Sequence, residues 1–543
     1  MSAARSDQPT VSVFPLFVAL YVTGFMMEMV EWWFYPAWTA LGIVLGLATI
    51  ALAKQRIVFL AFLIATTAYF LLFRFPDVAN HINLLIFCNI LLILGLSYSY
   101  VSRLGRVDFA AYFEALMSPV RLMLIVTYTV AGFHKLNYDF VNPEVSCIRD
   151  FLATFRSILT GPLFTDPVAS KIPVFAIVLV IAVPALWLML RHRVGELSRQ
   201  LLVGGVTLTV AVAAFALWSS ATAEVHGLSD RQVAYIVLVV ASVIVFWQLV
   251  EGPLLLFPRV QAIFLCFALV FHTYLGFIGF VDFQSLALAL LLTFVPKPVL
   301  QSWGRERHFR LGTLKLDRVY TYIALNLVAG VLTGIHMHVT PLFEPSNVEA
   351  MQGIFFNGGV LILLWPLFFA LLRRNRDWRW RGVSVFDRRT PKFLYLLPVL
   401  LLLFGMTSHF GLRTAGNFSM FSNLRTEGPT SNHILFANNP LKIWGYQEDT
   451  VRVLELDDEA ARAGYQYFLL EGQEFPVVEF RKLVDTWADA GMVIPIVFEY
   501  QGEVIASDNI AADPAWRPER WDWEMILLDF RVIQPEGPNL CRW

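Results

Sequence analysis

Val11-Ser-Val-Phe-Pro-Leu-Phe-Val-Ala-Leu-Tyr-Val-Thr-Gly-Phe-Met-Met-Glu-Met-Val-Glu31 decides the class of fold. It is about as long as a bilayer-spanning helix, roughly 20 residues, and longer than the apolar part of a secretory signal. The nine residues from Ser2 to Thr10 before it are polar, so it reads as a first membrane span. The rest of the chain repeats the pattern. Of 543 residues 57% are hydrophobic and 15% charged, where soluble domains carry roughly 25% charge. Mean hydropathy is +0.61. A net charge of −1 gives no footing for nucleic acid, and four cysteines exclude a disulfide scaffold.

Working outward, about thirteen spans are expected, near 11–31, 38–53, 57–73, 79–100, 118–136, 172–190, 200–219, 232–250, 260–280, 283–296, 319–338, 354–372 and 393–408. The loops test them. Lys and Arg gather in alternate connections: Lys54 and Arg56; Arg103 and Arg106; Arg191, Arg193 and Arg199; Arg305 to Arg318; and Arg373 to Lys392. Thirteen spans put all five clusters on one side, the cytoplasmic one by the positive-inside bias. The N-terminus is then cytoplasmic and the C-terminus extracytoplasmic, in the cell (inner) membrane. The expected class is an all-α polytopic membrane protein followed by a small extracytoplasmic α+β domain. Its parts are a transmembrane domain over 1–300, further membrane helices over 301–408, and the outer domain over 409–543. In that last part Val451–Leu456, Val493–Tyr500 and Met525–Val532 read as strands, and Pro476–Ala490 as an amphipathic helix stopped by Gly491.

Polar groups inside spans are costly and tend to be functional. Eight of the ten histidines fall in the outer half or outside, so a site would open outward. Lys135 closes the span in Val130-Ala-Gly-Phe-His-Lys-Leu-Asn-Tyr-Asp-Phe140. Its plain reading is a snorkelling lysine; its chemical one is a partly desolvated amine acting as a base. His134 points about 100° away around the helix. His81 follows Asn80 at a helix start, and His272 stands inside an apolar span. Glu28 and Glu31 read as interfacial or paired, and His336-Met-His338 has the wrong spacing for a metal on a helix. The polar stretch Gly411–His433 reads as a wrapped loop, or as a mouth closed by Arg425 and Glu427. Cys147 and Cys541 both fall outside, where they are either free thiols or linked. A link would tie the outer loop to the end of the C-terminal domain.

Asn80-His81, Gly132-Phe-His-Lys-Leu-Asn137 and Phe271-His272, in that order, resemble the HTTM (horizontally transferred transmembrane) domain. This is the family that includes the vitamin K-dependent γ-glutamyl carboxylase. The resemblance covers roughly residues 11–300. Where the carboxylase has Lys-Lys-Leu-Asp, this chain has His134-Lys135-Leu136-Asn137. The resemblance implies a lyase-type carboxylase or epoxidase reaction in which Lys135 deprotonates reduced vitamin K or another quinone-derived cofactor. His81, His134 and His272 would be its further catalytic residues, Asn80 and Asn137 its cofactor contacts, with no metal. The partners would be membrane lipid and an extracytoplasmic peptide or protein. The rival class is a non-catalytic transporter or assembly scaffold, although the paired broken helices common in transporters are not evident.

Overall fold

A computed structural model describes residues 13–31, 36–52, 55–76, 78–151, 230–277, 280–305, 308–311, 314–340, 351–360, 362–364, 382–428, 430–456, 472–518, 522–534 and 537–541. The spans expected at 172–190 and 200–219 lie outside the described residues, as does part of 354–372.

The described chain is mostly helical. Its first seven helices are α1 (Val13–Glu31), α2 (Pro36–Ala51), α3 (Arg56–Phe73), α4 (Asn80–Ser99), α5 (Arg103–Val107), α6 (Phe109–His134) and α7 (Tyr138–Val141). Then come α8 (Asp230–Phe246), running into a π-helical turn over Trp247–Glu251, α9 (Gln261–Phe277), α10 (Val281–Leu292), α11 (Arg318–His338) and α12 (Leu396–Gly405). Among the described residues six helices are long and apolar enough to cross a membrane, and several shorter apolar ones accompany them. Leu72, Val44, Val331 and Leu403 are exposed on these helices, as side chains facing lipid would be. α6 starts nine residues before the expected span, because Asp108 caps it by accepting from Ala111 N (3.0 Å). Pro119 sits well inside it.

Apolar contact alone does not hold helices together in lipid; close packing and buried hydrogen bonds do. Gly24 of α1 lets the backbone of α10 approach, with Ser285 Cβ 3.1 Å from where a Cβ would stand. Ser285 Oγ then donates to Leu20 O at 2.8 Å. Tyr21 Oη donates to Asn89 Oδ1 (2.8 Å), joining α1 to α4. Arg121 is buried deep in α6, donating to the backbone of Thr293 and Ser384.

The C-terminal region carries a four-stranded antiparallel sheet. Its strands are β1 (Thr450–Leu456), β2 (Glu474–Pro476), β3 (Ile496–Tyr500) and β4 (Glu503–Ser507), in the order β2-β1-β3-β4. Helix α13 (Val477–Asp489) lays Phe480, Leu483, Val484 and Trp487 on it, and Gly491 follows at φ +68°. β4, not foreseen, pairs with β3 through the tight turn Gln501-Gly502, whose two positive φ angles match strand twist.

Met525–Val532, expected as a strand, is a short helix over Trp523–Leu527 followed by extended chain. Asp522 caps that helix by accepting from Glu524 N. The extended part pairs mainly with side chains and with the linker, and meets a strand at the single bridge Ile533–Glu474. Glu479 Oε2 accepts from Phe530 N, Thr414 Oγ1 accepts from Arg531 N, and Asp529 O accepts from Thr414 N and Ala415 N.

The linker 409–443 is the joint between the two parts. Asn83 Nδ2 of α4 donates to Gly416 O (2.8 Å). Asn423 Nδ2 donates to Val145 O and to Asn539 O, and Asn432 Nδ2 to Asp139 Oδ2. Arg413 and Asp529 form a buried ion pair at 3.2 Å beneath the sheet domain. Cys147 and Cys541 are joined by a disulfide spanning 394 residues of sequence.

Candidate functional site

The C-terminal ends of α6, α8 and α9 and the N-terminal ends of α4 and α10 meet beneath the linker. Between them lies a cavity of ≈ 170 Å³, lined mostly by apolar and aromatic side chains. An apolar cavity of about 150 Å³ takes a benzene ring, so this one suits a ring-sized group. Asn80, His81, Lys135 and His272, singled out separately along the sequence, all line it.

Lys135 caps the C-terminus of α6 and is 8% exposed. Its Nζ donates to Ala131 O at a long 3.4 Å and lies 5.8 Å from the Phe140 ring centre. Among the described residues no carboxylate pairs with it. An unpaired cation away from water is costly, which sets this lysine apart from a snorkelling one.

His81 sits in the first turn of α4. Its Nε2 bonds Asp282 Oδ2 of α10 and lies 3.4 Å from Glu28 Oε2 of α1. Glu28 is therefore paired, as the sequence suggested. One histidine and two carboxylates from three helices form the one such group among the described residues close enough to hold a metal ion. Here both acids already converge on one nitrogen of the imidazole, which fixes the ring at the cavity wall. His272 of α9 is fully buried. Its Nε2 bonds the Tyr128 hydroxyl of α6 in a very short contact, and its ring lies 5.3 Å from Phe283. Its Nδ1 is buried with no partner among the described residues.

The other expected site residues stand elsewhere. His134, on the other side of α6, turns into the joint with the linker. Its Nε2 is 3.5 Å from Ser408 Oγ, and its ring centre is 5.4 Å from that of His409. His433 completes that seam, 5.1 Å from His409 and bonded through Nε2 to Phe133 O (2.9 Å). Burial, with His433 beside it, pushes His409 down to about 3, so it is neutral. Asn137 is engaged by backbone. Its Oδ1 accepts from Phe140 N (2.8 Å) as the N-cap of α7, and its Nδ2 donates to His134 O and Ser422 O. Arg425 and Glu427 do not line the cavity. Arg425 reaches Gln534 O at 3.4 Å, and Glu427 is buried with Oε2 accepting from Thr426 N. The part of the linker over the cavity is Phe418, Met420 and Phe421.

Three participants escaped the sequence: Tyr128 and Gln248, which both line the cavity, and Asp282, which holds His81. Each is a polar residue in or at the edge of an apolar run, a signal as strong as that of His272. The chain matches no family model, no curated protein and no solved structure.

Proposed function

We propose that this chain is a membrane enzyme of the vitamin K-dependent carboxylase type. On this reading it is an HTTM-like bundle of about thirteen spans that uses Lys135 as a general base toward a hydroquinone held in the cavity. The observation that carries the reading is Lys135 itself: a buried amine on the wall of a ring-sized apolar cavity, without a carboxylate partner among the described residues. A neutral amine there accepts the proton of a ring hydroxyl. His81, fixed between Asp282 and Glu28, and His272, fixed by Tyr128, supply oriented polar groups on a wall that is mostly apolar. The resemblance of Asn80-His81, His134-Lys135-Leu136-Asn137 and Phe271-His272 to the carboxylase pattern names the chemistry. Asn137 stands where the pattern has aspartate, and its capping of Phe140 N is a service that aspartate performs equally. The Cys147–Cys541 bond favours the orientation in which the linker and sheet domain lie outside the cytoplasm.

The test is hydroquinone-dependent incorporation of labelled CO2 into a glutamate-containing peptide, with Lys135→Arg as the decisive variant. Arginine keeps the charge and cannot be deprotonated in practice. The parent should incorporate label, and the variant, equally well folded, should not. A Lys135→Arg protein as active as the parent removes the base and with it the mechanism.

A further inference from the structure

Gln248 lies in the π-helical turn Trp247–Glu251 that continues α8. Such one-turn insertions are frequent at functional sites. Two contacts hold this one in place. α6 meets it at Gly132, where a Cβ would stand 2.6 Å from Leu249 N and 2.9 Å from Gln248 Cβ; glycine is what permits the approach. Trp247 stacks on Phe264 with ring centres 5.5 Å apart and meets Tyr128 edge-on at 5.1 Å. The turn is thus clamped between α6 and α9.

The side chain so placed lines the cavity and is 8% exposed, yet its amide oxygen is buried with no hydrogen-bond partner among the described residues. A buried amide oxygen left unpaired is costly, and nothing in the clamped turn relieves it. Gly132 is also three residues before Lys135, less than one turn of α6. The cavity therefore receives an amine from the end of α6 and an amide from the turn packed against it.

We propose that the Gln248 amide binds an oxygen of the ring ligand, which therefore carries two ring oxygens, one served by Gln248 and one by Lys135. This rests on the quinone-linked reading above. An amide both donates and accepts, so it serves a carbonyl or a hydroxyl without changing its own protonation. That suits a ligand that is bound in one redox form and released in another; a glutamate at 248 would serve only the hydroxyl.

The experiment is calorimetric titration of the purified full-length protein in detergent with three probes. These are 2-methyl-1,4-naphthoquinone, its hydroquinone, and 1,4-dimethylnaphthalene, which has a similar outline and no oxygens. Gln248→Leu should weaken the quinone and the hydroquinone roughly three- to tenfold, the effect of one lost hydrogen bond. It should leave dimethylnaphthalene within about twofold. Gln248→Met, closer in shape, replaces it if the leucine variant does not accumulate. Equal weakening of all three probes makes Gln248 a packing residue, and no change in any makes it a bystander; either overturns the inference. If the parent binds none of the probes, the ring reading falls as well. If Lys135→Arg stays active while Gln248→Leu shows the expected split, only the base mechanism falls.

Discussion

Gly132→Ala measures the closeness of α6 to the π-helical turn. The added methyl would meet backbone, Leu249 N at 2.6 Å and Gln248 C at 2.9 Å, which cannot rotate aside. Overpacking typically costs 1–3 kcal/mol, and backbone as the obstacle places this case near about 3. Alanine returns at most about 1 kcal/mol through helix propensity, so the net loss is about 2 kcal/mol. Gly334→Ala is the internal control. It lies within α11, and no described residue stands within 4 Å of its Cβ position, so about 1 kcal/mol of stabilisation is expected. The two variants should differ by about 3 kcal/mol in opposite directions. Thermal unfolding in one detergent, read as loss of the monodisperse peak after heating, compares them directly. A Gly132→Ala protein as stable as Gly334→Ala would mean that the two elements do not approach as described, and the placement of Gln248 would go with it.

Four further outcomes are expected. Arg413→Ala removes the nearer of two cations beside the buried Asp529, the other being Lys482 at 4.0 Å, and should cost about 3 kcal/mol, with Arg413→Lys recovering only part of it; the same heating assay reads both, and an unaffected Arg413→Ala refutes the buried pair. Cys147 and Cys541 should resist alkylation in denatured protein until reductant is added; labelling of both without reductant removes the link. His409, neutral with its folded value near 3 against about 6.5 unfolded, costs no stability above about pH 6.5, and stability should fall as pH drops from there toward 3, by about 2 kcal/mol at pH 5. His409→Phe should flatten that fall, and an identical pH profile in the variant would clear His409 of it. A reporter active only outside the cytoplasm should work after Trp543 and be silent after Arg381; the reverse pair overturns the orientation.

The helices and the site were legible to different depths. Apolar blocks with charged punctuation mark spans whatever packs against them, so the ranges of α1, α3, α4 and α11 could be read nearly to their ends. What brings Asn80, His81, Lys135 and His272 together was not in their spacing, which runs over almost two hundred positions. Their shared cavity depends on helix crossings set by residues such as Gly24 and Gly132, where the absence of a side chain is the message. The π-helical turn was hidden for a related reason: one inserted residue shifts the helical period too little to notice inside an unbroken apolar run. Arg425 and Glu427 misled because charged residues in a Gly-rich loop read alike whether they face a pocket or brace backbone. Met525–Val532 has the pattern of a strand, but the backbone groups of Phe530 and Arg531 were already taken by Glu479 and Thr414.

The disulfide closes a 394-residue span, and it has a meaning in time as well as in space. Phe140 and Ile148, on the Cys147 side, and Phe421 of the linker form one apolar cluster with it and face the cavity. At roughly 5–20 residues per second, about 20–80 seconds of synthesis separate the emergence of Cys147 from that of Cys541. Through that interval the rest of the cavity wall is made, from Ile148 through Val240 of α8 to Phe421 of the linker. The link therefore forms last, after every residue that lines the cavity has emerged.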